Sequence, residues 1–228
     1  MFRDKYKDEK YFKEARDFTI ESFREMEELK PEISEERMTY FYSPQSLYSK
    51  ELVSMSYSLG LSSDEIFKWF KISLAYFEKF YTQKGNIYSI IDYFSLGILF
   101  EDRKEEFIED IEKIFNRYNQ LIEEEKQLRE DYIEYLACYL LRGEKINFRS
   151  HLEYLNMMED DADSIIEAQK FWYYAHSEAA WYDTHKTKDA YYGYWSFDTA
   201  ALCKIRGIDD PRLKDLDFFP YDLLVQAD

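Results

Sequence analysis

The sequence has 228 residues, of which 46% are hydrophobic and 19% aromatic, so the chain can bury a full core and is not disordered. Only 6 glycines and 4 prolines are available for turns, which favours long helices over many short strands. The net charge of −17 argues against direct binding to nucleic acid or to an anionic membrane, and it fits either simple solubility or a basic partner.

The sequence also bears on the compartment of the protein. No apolar window is long enough to span a membrane, and the charged start MFRDKYKDEKYFKE is unlike a signal peptide. Cys138 and Cys203 both fall inside apolar helical patterns, so we expect buried thiols in a reducing compartment. A disulfide would require the two helices to touch at these positions. These features predict a cytoplasmic protein.

The first part of the chain predicts four helices with apolar stripes at three- and four-residue spacing. Their expected ranges are about 7–29, 44–60, 62–81 and 86–100. Pro31 ends the first helix, Gly60 ends the second, and Ser62 forms a capping box with Glu65 at the start of the third. Lys84–Asn86 is expected to form a turn. The fourth helix is almost entirely apolar but too short for a membrane, which predicts a core helix.

Further amphipathic helices are expected at about 101–119, 123–142, 148–158 and 160–175. The last of these is expected to be capped by Asp160 or Asp161 and to run through Phe171 and Trp172. The polar stretch Asn119–Gln127 is expected to separate two halves, 1–122 and 123–228. Since no linker rich in Pro, Gly or Ser lies there, we expect the halves to share a packed interface. The predicted fold is therefore all-α, with two packed helical halves and no sheet.

The stretch YYGYWSFDTAALCKIRGIDD, Tyr191–Asp210, is predicted to hold the most buried helix, over Tyr191–Arg206. At helical spacing, apolar residues occupy almost the whole circumference, which is typical of a helix with no solvent-facing side. A stripe of small residues that includes Gly193 and Ala200 would let a neighbouring helix approach closely. Gly207 predicts a left-handed helix stop, and Asp210 is expected to cap a new helix.

Two sets of polar residues are candidates for chemistry. His151, His176 and His185 lack the spacing of a zinc pair, and the H-x-E run at His176 lacks the cysteine motif that accompanies it in zinc deaminases. We interpret them as structural and expect no catalytic residue, metal or cofactor. Asp198 would be desolvated on a buried helix unless it is paired. It is interpreted either as part of a satisfied polar cluster or as the acidic floor of a binding concavity.

Several segments carry a resemblance to a known family. Tyr191–Asp210, with AAWYDTHK (Ala179–Lys186) and FFPYDLL (Phe218–Leu224), resembles the C-terminal domain of PoNi-type immunity proteins. RDKYKDEKYF near the start and NIYSIIDYFSLGILF (Asn86–Phe100) resemble the N-terminal half of the same family. Asp198 stands where family members often have a glutamate, which keeps the charge and shortens the reach.

The resemblance implies an immunity protein of interbacterial competition, which protects a bacterium from PoNe-type DNase toxins. We expect it to bind the basic surface of a cognate toxin and occlude its DNA cleft, without being an enzyme. The residues expected to bind the toxin are Glu159, Asp160, Asp161, Asp163, Glu178, Trp181, Asp183 and Asp198. The alternative is a small helical enzyme whose acidic, aromatic pocket holds a cationic substrate or a metal.

Overall fold

The computed structural model describes residues 1–81, 87–125, 129–187 and 191–226, and these residues form helices and turns with no strand among them. The all-α prediction is thereby confirmed for the described part of the chain. The expected turn Lys84–Asn86 lies outside it. The α-helices are α1 Glu9–Leu29, α2 Met38–Ser58, α3 Ser63–Phe80, α4 Ile87–Leu99, α5 Ile108–Glu125, α6 Asp131–Arg142, α7 Glu153–Asn156, α8 Ala162–Ala175, α9 Phe197–Arg206 and α10 Tyr221–Leu224. Short 3-10 helices cover Lys30–Glu32, Glu35–Arg37, Glu101–Glu106, Thr184–Lys186 and Pro211–Asp215.

The chain divides into two compact units, each made of two stretches of sequence. The first, called the N-unit, comprises Met1–Tyr81 and Asp183–Tyr194. The second, called the C-unit, comprises Thr82–Tyr182 and Trp195–Asp228. The division of the sequence into halves at 122/123 stays a prediction.

The N-unit is built on α2, which packs against both α1 and α3. Two buried serines mark the contact between α2 and α3. The Ser46 hydroxyl donates to the Ser73 carbonyl at 3.3 Å, and the Ser73 hydroxyl donates to the Ser46 carbonyl at 2.8 Å. These reciprocal bonds satisfy both hydroxyls in an apolar interior, and the small side chains allow the two helices to lie close together.

The segment Asp183–Tyr194 belongs to the N-unit although it lies far along the sequence. The Tyr191 hydroxyl donates to the Asp4 carboxylate at 2.5 Å. The Tyr11 hydroxyl donates to the Tyr191 carbonyl at 2.9 Å and accepts from the Tyr191 amide at 3.2 Å. The ring of Tyr191 is buried edge-on against Phe12, at 5.7 Å between centroids. These bonds tie the segment to the start of the chain.

The C-unit is built around α4, the nearly all-apolar helix, which packs against α6 and α9. Gly97 lies at a close approach, because a Cβ there would come within 3.2 Å of the Phe107 ring and 3.3 Å of Leu140. The prediction of a core helix is confirmed, since every residue from Ile90 to Leu99 except Asp92 is buried. Within the described ranges, no helix combines the length and apolar character that a membrane span requires.

Most of the predicted helix ends are confirmed. Gly60 and Gly207 both adopt the left-handed conformation, with φ of 70° and 75°. After Gly207 the Ile208 amide donates to the Cys203 carbonyl at 2.9 Å, which is the hydrogen bond expected of a Schellman stop. Ser62 caps α3 by accepting from the Glu65 amide, and Asp161 caps α8 in the same way.

The helix predicted over Tyr191–Arg206 is wrong in its first half, because α9 begins only at Phe197. Gly193 has φ of 100°, which a right-handed helix cannot accommodate. The Ser196 amide donates instead to the Phe218 carbonyl at 2.8 Å. Residues 191–196 are therefore a non-helical strap that tertiary hydrogen bonds hold in place.

Several other predicted helix bounds differ from the structure. The helix expected from 101 is α5, which begins at Ile108, and the helix expected from 123 is α6, which begins at Asp131. The helix expected from Pro44 begins at Met38, with Pro44 inside it. The helix expected over 148–158 is reduced to α7, at Glu153–Asn156. Much of the stretch expected to connect the halves is helical, because α5 continues to Glu125.

Candidate functional site

An acidic segment, Glu159–Asp163, runs from the connection after α7 into the first turn of α8, and Arg206 of α9 holds it in place. The Arg206 guanidinium donates to the carbonyls of Met158 at 2.7 Å and Glu159 at 3.0 Å. Its Nε lies 3.1 Å from the Asp160 carboxylate. The Arg206 side chain is 17% exposed and that of Asp160 84%, so the arginine is the fixed partner and the carboxylate remains in solvent. Arg206 therefore sets the path of the segment without removing its acidic surface.

The start of α8 fixes the rest of this acidic segment. The Asp161 carboxylate accepts from the Ser164 amide at 2.9 Å, while the Ser164 hydroxyl accepts from the Glu159 amide at 2.9 Å. Asp163 lies on the first turn and pairs with Arg212 at 2.7 Å. Arg212 also binds Asp210, at 2.9 Å. The four carboxylates are exposed on a backbone that hydrogen bonds hold in one conformation.

The next two residues expected at the site follow α8. Glu178 is exposed in a run of turns. Trp181 is half-buried and stacks on Trp172 of α8, at 5.5 Å between centroids. Its ring also lies 5.2 Å from the ring of His176. Trp181 is thus part of the aromatic packing at the C-terminal end of α8 and is partly exposed.

Asp183 lies in the N-unit, whereas the other seven expected site residues belong to the C-unit. Its backbone is left-handed, with φ of 62°, and its carboxylate lies 2.6 Å from the Lys186 ammonium. Its local role is to start the 3-10 helix Thr184–Lys186.

Asp198 is buried at 3% exposure, so its carboxylate is not a surface group. It accepts hydrogen bonds from the Tyr154 hydroxyl, from the Trp172 indole at 3.0 Å and from the Thr199 amide at 2.9 Å. The backbone carbonyl of Asp198 accepts from the Tyr132 hydroxyl at 2.8 Å. One residue of α9 is therefore bonded to α6, α7 and α8.

The electrostatics of this cluster follow from burial. Burial raises the pKa of Asp198, and the neighbouring His176 opposes that shift. Burial and the charge of Asp198 together raise the pKa of Tyr154, so this phenol stays a neutral donor. His176 itself donates from Nδ1 to the Trp172 carbonyl at 2.7 Å. The arrangement has the features of the satisfied polar cluster that was one of the two interpretations of Asp198.

Two aromatic side chains, Phe171 and Tyr174, lie on the outside of α8. Phe171 is 52% exposed and Tyr174 is 69% exposed. Trp172 takes the inward position at that turn, and Phe171 faces outward. The helical spacing of the sequence could have predicted this exposed face of α8. Asp163, Glu167, Phe171 and Tyr174 recur every three or four residues and form one exposed stripe, with Lys170 beside it.

The other residues considered for chemistry have local roles. His151 Nδ1 lies 2.9 Å from the buried Glu130 carboxylate, which also accepts from the His151 amide. Cys138 and Cys203 are free and buried, as predicted. Among the described residues, no group of three or more His, Cys, Asp or Glu side chains could hold a metal ion.

Comparison with known proteins gives matches over nearly the whole chain. The family model described as "PoNe immunity protein (PoNi), N-terminal" matches residues 3–112. The family model described as "PoNe immunity proteins (PoNi), C-terminal" matches residues 112–223. Comparison with curated proteins and with solved structures gave no match.

Proposed function

We propose that this chain, which belongs to the PoNe immunity protein (PoNi) family, binds a cognate PoNe-type DNase toxin directly and covers its basic DNA cleft. Membership of the family gives the coarser statement, an immunity function against PoNe toxins. The finer statement concerns the mechanism, which is steric and electrostatic and involves no catalysis. The chain binds the toxin in the cytoplasm, because the DNA that such a toxin attacks is there.

The observation that carries this mechanism is the fixed acidic segment Glu159–Asp163. A nuclease must present cationic groups to hold the phosphates of its substrate. The segment offers exposed carboxylates whose backbone is anchored by Arg206 and Ser164. A fixed arrangement of charge loses less conformational entropy on binding than a mobile one. This makes the segment a suitable counterpart for a cationic cleft.

The segment contributes mainly to the rate and specificity of association. Exposed charges steer two proteins together, and this effect weakens as salt screens it over about 8 Å at physiological ionic strength. Two of the four acids already pair with arginines of the same unit, which reduces their pull on a partner. Most of the affinity must therefore come from buried anchors elsewhere in the interface.

The alternative of an enzyme would use Asp198 as the acidic floor of a pocket. Both of its carboxylate oxygens accept hydrogen bonds from the C-unit, from Tyr154, Trp172 and Thr199. A buried carboxylate with these partners is accounted for by packing. We therefore assign Asp198 a positioning role, in which it holds α7 and α8 against α9.

The first prediction tests the acidic segment. Glu159, Asp160, Asp161 and Asp163 are replaced together by their amides. We expect association with the cognate nuclease to slow by about tenfold at low salt, and the difference to shrink at high salt, because charge steering is lost. Asparagine at 161 keeps the helix cap, so the melting temperature should change little. Association kinetics measured at several salt concentrations provide the test.

The matched control changes four exposed acids of the same unit on another helix. These are Glu109, Glu112, Glu123 and Glu124 of α5, each replaced by glutamine. The control alters the net charge by the same amount. It therefore distinguishes an effect of the acidic segment on association from an effect of the net charge of the chain. If the two variants associate and protect cells equally well at every salt concentration, the acidic segment is not the interface. If the wild-type chain does not bind the nuclease at all, direct occlusion is wrong.

A further inference from the structure

The outer face of α8 combines exposed aromatic and acidic side chains in one stripe. Phe171 and Tyr174 stand one helical turn apart, so their side chains are neighbours. Asp163 and Glu167 precede them on the same stripe, and Glu167 pairs with Lys170 at 2.5 Å. The opposite face of α8 is buried. The helix is therefore fully packed on one side and presents two large rings to solvent on the other.

Single exposed apolar residues are common on proteins and require no explanation. Two adjacent aromatics with a charged rim are a different pattern, because aromatic residues at the centre and polar residues at the edge characterise protein interfaces. Tyr and Phe supply a large contact area with few rotatable bonds, so ordering them on binding costs little entropy. This pattern supplies the anchors that the acidic segment lacks.

We propose that Phe171 and Tyr174 form the apolar centre of the toxin-binding surface and that the acidic segment Glu159–Asp163 lies at its rim. This inference rests on the proposed function and adds to it the residues that hold the complex together. The occupant is a basic surface of the toxin with an apolar patch that receives the two rings.

Charge decides between this occupant and a second copy of the chain. Between residues 159 and 178 the sequence has six carboxylates and one lysine, and Arg206 and Arg212 pair with two of the six, so the face keeps an excess of negative charge. A symmetric contact between two copies would bring this face against itself and place like charges together. A cationic partner would instead meet charges of opposite sign. The face therefore fits a basic protein better than a copy of the same chain.

The inner face of α8 makes the outer face rigid. The Trp172 indole is bonded to Asp198, and the Gln169 amide donates to the Ser196 hydroxyl at 2.7 Å and to the Asp217 carbonyl at 2.9 Å. These bonds fix the rotation of the helix about its axis. The rings at 171 and 174 are thus presented in a defined direction before binding, which is the condition under which anchors contribute most.

The second prediction tests these anchors in the full chain. The double variant Phe171→Ala with Tyr174→Ala should weaken binding of the cognate nuclease by about 30-fold or more, since truncation of a central anchor typically has an effect of this size. The loss should appear mainly as faster dissociation and should persist at high salt, unlike the effect of the acid-to-amide change. Binding kinetics and protection of cells provide the readouts.

The matched control is Phe18→Ala with Tyr40→Ala. These two aromatics are 70% and 77% exposed in the N-unit, so the control removes a similar exposed area elsewhere. Both double variants should keep the circular dichroism spectrum and the melting temperature of the wild type, because the replaced rings are exposed. We expect the control to bind the nuclease as the wild type does.

Three outcomes overturn the inference, and they can be told apart. If the wild type binds and the 171/174 variant binds equally well, the surface is wrong and the proposed function stands. If the wild type fails to bind, the proposed function fails together with the inference. If light scattering shows a wild-type dimer that the 171/174 variant converts to a monomer, the face is occupied by a second copy of the chain.

Discussion

Asp198 illustrates how one buried group can organise its surroundings. Its carboxylate accepts from Tyr154 and Trp172, which lie 44 and 26 residues away in the sequence. The sequence predicted that this residue must be paired, because an unpaired buried charge is costly. It could not identify Tyr154 and Trp172 as the partners, since both lie far from Asp198 along the chain. Long-range contacts of this kind follow from the fold and not from local spacing.

The third prediction concerns the energy of this cluster. Asp198→Ala leaves the Tyr154 hydroxyl and the Trp172 indole without an acceptor, which should lower the free energy of unfolding by about 2–5 kcal/mol. Asp198→Asn retains an acceptor oxygen and should cost about 1 kcal/mol. The control Asp163→Ala removes an exposed carboxylate with an ion pair and should cost less than about 1 kcal/mol. Urea unfolding of the three variants gives the comparison, and equal losses for the alanine variants would contradict it.

Asp198 should also make the stability of the chain depend on pH, in a direction that follows from the shift of its pKa. Burial raises the pKa of Asp198 above its usual 3.8. The folded chain therefore holds the proton more tightly, so this contribution to stability is complete below pH 3.8 and is lost as the pH rises through the folded-state pKa. Asparagine cannot titrate. The stability of the wild type should fall relative to Asp198→Asn as the pH rises from 3.8, and a constant difference would argue against burial as the cause.

Among the helices, α9 shows what periodicity can and cannot predict. Its end at Gly207 follows from a local rule, because a left-handed residue after a helix favours glycine. Its start does not, since the apolar pattern continues back to Tyr191 while the backbone is not helical. The bonds of Tyr191 to Asp4 and Tyr11 override the local pattern. The stop of α9 was therefore predictable, and the strap at 191–196 was not.

The outer face of α8 shows how far the candidate site could be predicted from the sequence. The acidic residues around Asp161 were expected from the cap and the charge run, and the structure places them in one exposed segment. The sequence placed Phe171 and Trp172 on this helix without deciding which of them faces the core. Adjacent aromatic residues along a helix cannot all face one side, so Trp172 is buried and Phe171 is exposed.

The fourth prediction concerns the packing of α9 in the C-unit. Ala200 is fully buried on a helix that packs along α4. Ala200→Leu should overpack this region and lower the free energy of unfolding by about 1–3 kcal/mol. The control Ala175→Leu makes the same change at an exposed position of α8 and should have little effect. If the two variants have equal melting temperatures, the region around Ala200 has room that tight packing would not allow.

Across the chain, residues that follow one another in the sequence do not always belong to the same compact unit. The segment Asp183–Tyr194 belongs to the N-unit, while the residues before and after it belong to the C-unit. A division at 122/123 would assign the segment to the C-terminal half. The two descriptions make different statements about which residues unfold together, because cooperative units open as groups.

The fifth prediction uses hydrogen exchange to decide between the two compact units and the division at 122/123. Phe12→Leu weakens the contact of the Phe12 ring with Tyr191 and should destabilise the N-unit by about 1 kcal/mol. We expect faster exchange in α1 and at residues 191–194, with unchanged exchange in α9, only a few residues further on. Asp198→Asn should do the reverse, with faster exchange in α8 and α9 and none of this effect at 191–194. If residues 191–194 instead follow α9 in both variants, the segment unfolds with the C-terminal half, and the division at 122/123 describes the cooperative units better.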